Sequence, residues 1–226
     1  AFLKIDRTAY SYLLESVEGQ ENVGRYSFLS TGPSLVFQSK GQRVDFTRLT
    51  KKGRQRRSYQ CLGSPLDEVR VLMAGFRFVP VQGLPRFCGG FIGYVGYDMV
   101  RFFEKIPDKN PDELKAPDCV LMLSDTLIIF DHVNRKMKVV ANALLGPGRG
   151  EAALKRSYRQ AALKIDRLVR QLRKPLKSSG EPTGPAKPIK ITSNMTRGRF
   201  ISSVRRAKEY IKKGDIIQVV LSQRFK

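Results

Sequence analysis

Residues 206–226 read RAKEYIKKGDIIQVVLSQRFK. Just upstream and into this stretch, Phe200, Val204, Ala207 and Ile211 recur at spacings of four, three and four, which places them on one face of a helix. Thr196 is its N-cap, and Gly214 is placed to end it in a left-handed C-cap. The apolar run 216–221, rich in β-branched residues, then predicts a strand. A strand apolar on both faces belongs inside a sheet that is covered on both sides. Only four residues follow Ser222, so the expectation is that a second domain begins here and that its remaining elements lie in chain beyond Lys226.

Before that start, residues 175–188, with KSSGEPTGPAKP, form a polar Pro/Gly/Ser linker. Upstream of the linker, Leu154, Tyr158, Ala161, Ile165, Leu168 and Leu172 repeat every three or four positions, with basic residues on the other faces. This predicts a long amphipathic helix over 151–176 whose apolar stripe docks on the same molecule. Strands dominate the first two-thirds of the chain. Alternation over 35–46 predicts a hairpin around Lys40-Gly41-Gln42, and 120–123, 127–131 and 137–142 read as strands, the last two joined through Asn134-Arg135. Ser64-Pro65, with acids close behind, starts a helix. The fold class is therefore α+β: a mainly antiparallel N-terminal domain with flanking helices, followed by the first helix and strand of a second domain.

With 226 residues and 41% hydrophobic content, the chain can bury one good core or two small ones. It has no apolar stretch of about 18 residues, so no membrane span is expected, and its start lacks a basic-then-apolar leader. Cys61, Cys88 and Cys119 are far apart without a CxxC pair, which argues against disulfides or a zinc site and for the cytoplasm. They read as small buried hydrophobes. The net charge of +22 favours anionic partners. The basic residues are spread along the chain rather than gathered among aromatics, so nucleic acid is not expected. The densest cluster, Lys51-Lys52-Gly53-Arg54-Gln55-Arg56-Arg57, reads as a solvated loop.

Three segments carry candidate chemistry. GGFIGYVGYDMVRFFE, residues 89–104, is glycine-rich but lacks both the Gly-Lys-Ser/Thr ending and the Gly-x-Gly-x-x-Gly register of phosphate loops. It reads as a strand closely approached by another backbone, followed by a helix over 98–104. His132 stands alone, without the neighbours of a triad or a metal site, and reads as a satisfied boundary residue. In Leu13-Leu14-Glu15-Ser16, a carboxylate and a hydroxyl close an apolar run. They either cap backbone groups at a strand end or hold the ammonium of a small zwitterion.

The run AKEYIKKGDIIQVVLSQRF, preceded by SNMTRGRF, resembles the opening of the chorismate-binding core in the anthranilate synthase component I family. LLES at 13–16, GRYSF at 24–28, GGFIGYVGYDMVRFFE and DTLIIFDHV at 125–133 occur in the order and approximate spacing of that family's N-terminal part. The resemblance implies a regulatory domain over 1–146, a helix and linker over 147–188, and the start of a catalytic domain over 189–226. It implies that Leu14, Glu15 and Ser16, with Arg25, line a pocket for the feedback inhibitor tryptophan. For the complete protein it implies a Mg2+-dependent lyase that makes anthranilate and pyruvate from chorismate and ammonia, the ammonia coming from glutamine through a partner amidotransferase subunit. The metal-binding glutamates and the catalytic histidine of the family belong to later motifs, so no metal ligand is expected in this chain, and the chain alone is expected to be inactive.

Gln218 stands on the expected core strand. In water-adding relatives a lysine at the matching position acts as general base, a role glutamine cannot fill because it has no proton to exchange near neutral pH. Glutamine there points to the amine-adding branch, anthranilate or aminodeoxychorismate synthesis. A plain strand-edge glutamine is the bland alternative. A non-catalytic module that binds an aromatic amino acid is the other functional alternative.

Overall fold

A computed structural model describes the chain except residues 7, 16–23, 51–52, 110, 147, 149 and 177–189. It divides into two compact units, Ala1–Lys177 and Ser178–Lys226. Most of the expected linker lies outside the described residues.

The first unit is built from two antiparallel sheets. After a short helix α1 (Phe2–Ile5) come β1 (Ser11–Leu14), β2 (Tyr26–Thr31), β3 (Leu35–Lys40), β4 (Arg43–Thr50) and β5 (Gly53–Gln60). Helix α2 (Pro65–Ala74), β6 (Gly90–Val95), a 3-10 turn over Tyr97–Phe102, β7 (Cys119–Ser124), β8 (Thr126–Asp131), β9 (Lys136–Ala141) and helix α3 (Glu151–Arg173) follow. One sheet runs β1-β2-β8-β9 and the other β5-β4-β3-β7-β6. Asp125 alone separates β7 from β8, so the chain passes from one sheet into the other across a single residue.

The expected hairpin turns at Gly41, whose φ of 51° is the left-handed value that a two-residue turn requires. Lys40 Nζ pairs with Asp112 at 2.6 Å and Asp118 at 2.9 Å, and the Gly41 N–H donates to Asp118 at 2.7 Å, which fixes the turn against the β6–β7 side. The Ser64 side chain caps α2 by accepting from the Leu66 N–H, with Pro65 at the first helical position.

Each sheet covers a separate set of helices. In the five-stranded sheet Phe37, Val44, Cys61 and Cys119 pack with Met99 of the 3-10 turn, and Leu66 and Val69 of α2 close the cluster. In the four-stranded sheet Leu29 and Ile128 pack with Ile5 of α1 and Leu168 of α3. Residues of the opposite parity, Val36, Met122, Leu127 and Ile129, are buried as well. The central strands are thus covered on both faces, which explains their continuous apolar runs. All three cysteines are buried and none forms a disulfide.

The glycine-rich segment is the closely approached strand that its composition suggests. At Gly93 a Cβ would come within 1.9 Å of the Val120 carbonyl oxygen on β7. The expected helix after it is a 3-10 turn that ends at Phe102.

Three expectations need correction. Residues 53–57 are strand rather than loop: they pair with β4 in register from Gly53↔Thr50 to Arg57↔Phe46. Because β5 is an edge strand exposed on both faces over this stretch, it shows no apolar alternation, and its basic side chains are of the kind that protects an edge from further pairing. Lys51 and Lys52 lie outside the described residues. In α3 the expected stripe packs through its later members, Ala161 and Leu168 with Leu172 beside them, whereas its first two do not: Leu154 is 47% and Tyr158 70% exposed.

The third correction concerns the second unit. Thr196 caps α4 (Arg197–Lys212) by accepting from the Arg199 N–H. Gly214, at φ 80°, ends it: the Asp215 N–H donates to the Tyr210 carbonyl and the Gly214 N–H to that of Ile211, both at 3.0 Å. That is a Schellman ending. The expected strand over 216–221 is not formed. Thr192 and Lys226 exchange reciprocal backbone bonds of 2.8 Å, and Ser193↔Phe225 is an isolated bridge. Residues 216–221 have no regular secondary structure and bend at Ile217, with Ile217 98% and Val220 78% exposed. A strand is defined by its neighbour, and among the described residues none runs beside this segment.

Candidate functional site

The end of β1 places the first candidate residues. Register pairs Leu14 with Phe28 and Tyr12 with Ser30, and cross-strand partners share a face. The Phe28 ring meets Phe87 edge-on at 5.2 Å and lies 6.0 Å from Tyr26. Leu14, 45% exposed, therefore sits on the side of the sheet that carries a half-buried aromatic group. Deeper along the same strand the Tyr12 hydroxyl and Ser124 Oγ share a hydrogen bond of 2.7 Å, and burial pushes the tyrosine pKa up. This bond ties β1 to the end of β7.

Glu15 follows directly and is exposed. Among the described residues its carboxylate forms no hydrogen bond to a backbone group and no ion pair. An apolar aromatic shelf next to an unspent carboxylate suits a zwitterion with a planar apolar side chain. Ser16 lies outside the described residues.

Arg25 is engaged with the fold. Its Nε donates to Asp131 Oδ1 at 3.1 Å and its Nη2 to Oδ2 at 3.0 Å, while the guanidinium lies 5.0 Å from the centre of the Tyr26 ring. The buried Asp131 also accepts from the Asn134 N–H at 3.1 Å and from Asn134 Nδ2 at 2.9 Å. Arg25 above all, with these two donors, holds the carboxyl well below the usual carboxylate range. His132 donates its backbone N–H to the Arg25 carbonyl, and its ring shares a 2.7 Å hydrogen bond with Ser27. The isolated histidine is the satisfied boundary residue expected, and Arg25 links β2 to the β8–β9 turn.

Sequence reasoning passed over Asp131 and Asp125. Asp125, buried at the β7–β8 junction, receives Lys164 Nζ of α3 at 2.7 Å, and the neighbouring Ser30 hydroxyl donates to the Thr126 carbonyl at 2.5 Å. Both aspartates bracket the apolar run TLIIF, and an acid at each end of a doubly buried strand is the signal that could have marked them.

Gln218 belongs to the second unit and is exposed in the irregular segment after α4, not on a strand. Among the described residues no three His, Cys, Asp or Glu side chains are placed to hold a metal ion, so the donor set that a Mg2+ site needs is not supplied by them. No described helix is long and apolar enough to cross a membrane.

The sequence profile of the family described as chorismate binding enzyme matches residues 10–226. Anthranilate synthase component 1 of Aquifex aeolicus is 36% identical over 237 residues, an alignment covering 100% of this chain and 44% of the relative. That of Synechocystis sp. is 38% identical over 224 residues, covering 95% and 42%. Among solved structures, anthranilate synthase component I from Streptococcus pneumoniae TIGR4 superposes with a TM-score of 0.62 at 25% identity, covering 97% of this chain and 44% of that one. The chain thus spans less than half the length of these relatives.

Proposed function

Since the chain belongs to the chorismate-binding enzyme family, we propose that it is the N-terminal part of an anthranilate synthase component 1. In the complete protein, chorismate and glutamine-derived ammonia would yield anthranilate and pyruvate, in a lyase reaction of tryptophan biosynthesis in the cytoplasm. A glutamine amidotransferase subunit would be the partner and Mg2+ the cofactor, its ligands lying in the family's later motifs. The observation that carries this reading is collinearity: relatives bearing that name align with 95–100% of the chain, through the glycine-rich strand and on to the segment that holds Gln218.

Within this chain the first unit would carry regulation. Leu14 on its aromatic neighbours and the unpartnered Glu15 carboxylate supply an apolar surface and an ammonium acceptor, which tryptophan requires. Ser16 would add a hydroxyl, and Arg25 would position the floor through Asp131 rather than bind the effector with the two donors it already uses. Gln218 would face chorismate once the exposed segment 216–221 is covered by the rest of a catalytic core, orienting ammonia without acting as a base.

The natural full-length protein, assayed with chorismate, Mg2+ and ammonium, tests this. Anthranilate should form and tryptophan should inhibit, with Glu15→Gln raising the half-inhibiting tryptophan concentration at least tenfold. Aminodeoxychorismate as product would move the protein to the sister enzyme. Saturable tryptophan binding without any chorismate turnover would leave only the effector module. Anthranilate formed by the 226-residue chain alone would refute the division of labour.

A further inference from the structure

Separate from the β1 region, a cavity of about 620 Å³ opens between α2 and the β4–β5 edge of the five-stranded sheet. This is the size range of small-molecule sites, about 300–1,000 Å³. Its floor is the Phe46–Tyr59 pair, stacked at 6.2 Å and 16°, and Val71 and Leu72 of α2 form its apolar wall. The Tyr59 hydroxyl donates to Glu68 at 2.6 Å, and burial together with that carboxylate pushes the phenol up to about 12. Glu68, the only acid at the cavity, is therefore tied to one end of it.

The other end is cationic. In the β4–β5 register Arg57 faces Phe46, and Arg48 faces Gln55 two positions along, so the two arginines are diagonal neighbours on the floor side. The Arg57 guanidinium lies 5.0 Å from the centre of the Tyr59 ring. Neither Arg48 nor Arg57 has a carboxylate partner among the described residues. Arg56 also borders the cavity, but its register position is on the opposite face and Asp45 neutralises it at 3.0 Å. Two unspent guanidiniums beside a stacked aromatic floor form a fork for tetrahedral oxyanions next to a surface for a planar ring.

We infer that this cavity binds a small phosphate ester of a planar ring, with the phosphate on Arg48 and Arg57 and the ring against Phe46. The inference does not rest on the anthranilate synthase reading, and its failure would leave that reading untouched.

Calorimetric titration of the chain with adenosine 5′-monophosphate, adenosine and inorganic phosphate tests it. Adenosine 5′-monophosphate should saturate below about 1 mM, with adenosine and phosphate each at least tenfold weaker. Arg48→Ala and Arg57→Ala should each weaken it at least tenfold. Arg70→Ala, which breaks only a surface pair with Asp67 on α2, should not. If either alanine variant fails to fold, Arg48→Lys and Arg57→Lys keep the charge and should still weaken binding through loss of the fork. Absence of saturation, phosphate binding as tightly as the nucleotide, or arginine variants without effect would each overturn the inference. So would a twelve-residue oligothymidylate that displaces the nucleotide at lower concentration, because the cationic end would then belong to a polyanion surface.

Discussion

Replacing Gly93 by alanine should be among the most damaging single-methyl additions in the first unit. The added carbon would sit 1.9 Å from the Val120 oxygen and 2.9 Å from its carbonyl carbon, whereas contacts below 3.0 Å are essentially never realised. Reaching even that limit means opening β6 from β7 by about 1.1 Å around the Gly93↔Leu121 pair. A ladder bond of about 2.9 Å then stretches to about 4 Å and is lost. Two such bonds at roughly 1 kcal/mol each, plus the cost of leaving their buried groups unpaired, come to about 3 kcal/mol. For a chain of this length that lowers the melting temperature by about 6–12 °C. Gly90 supplies the control, since it lies on the same strand with φ 126° and has nothing within 4 Å of its added carbon. Melting both variants by circular dichroism separates backbone strain, common to the two, from the clash, present only in Gly93→Ala. If Gly93→Ala melts within about 2 °C of Gly90→Ala, the close approach of β7 does not constrain this strand and the reasoning fails.

Asp131→Asn should destabilise the chain at pH 7. The Asp131 carboxyl is held below its usual range by Arg25 and Asn134, so its contribution is present above the unfolded value near 4 and is lost as pH falls towards the folded one. The gap between wild type and variant in chemical denaturation should therefore narrow below about pH 4, and a constant gap would show that the ion pair is not its source. In the second unit, Gly214→Ala forces a side chain into the left-handed ending of α4 and should cost about 1–2 kcal/mol, read as faster hydrogen exchange at the Asp215 amide. Gly198→Ala, in the first turn of the same helix with open space around it, should instead stabilise by roughly 0.5–1 kcal/mol. Equal effects of the two substitutions would contradict the cap geometry.

Much of the fold was legible because its signals are local. Ser64-Pro65, Thr196 and Gly214 carry their capping chemistry in their own side chains or lack of one, and the 35–46 hairpin declares its turn through Gly41. What sequence misread depends on neighbours. The basic residues of β5 have no apolar period because this part of the edge strand is exposed, and only pairing with β4 makes them strand. Ile216 and its successors have strand composition, yet composition cannot supply the adjacent backbone. The α3 stripe was read along the whole helix, yet only its later part, with Ala161 and Leu168, finds a surface to pack on. At the candidate pocket, Leu14 and Glu15 were visible as a pattern. The engagement of Arg25 was not, because its partner Asp131 is 106 residues away.

The single-residue passage at Asp125 has a consequence for the order in which the chain can fold. Segment 119–131 supplies the missing neighbour to both sheets at once, pairing Leu35 with Leu123 and Phe28 with Ile129. Until it emerges from the ribosome, β2 and β3 each carry an open, apolar edge. Nearly 60 residues separate the end of β5 from the start of β7, and at about 5–20 residues per second they take roughly 3–12 s to synthesise. During that interval the nascent chain holds a five-strand precursor with two unfinished borders, and a chaperone that binds extended apolar edges would have its window there. One stretch of chain then covers the open edges of β2 and β3 together, which couples the two sheets before β9 adds the last strand.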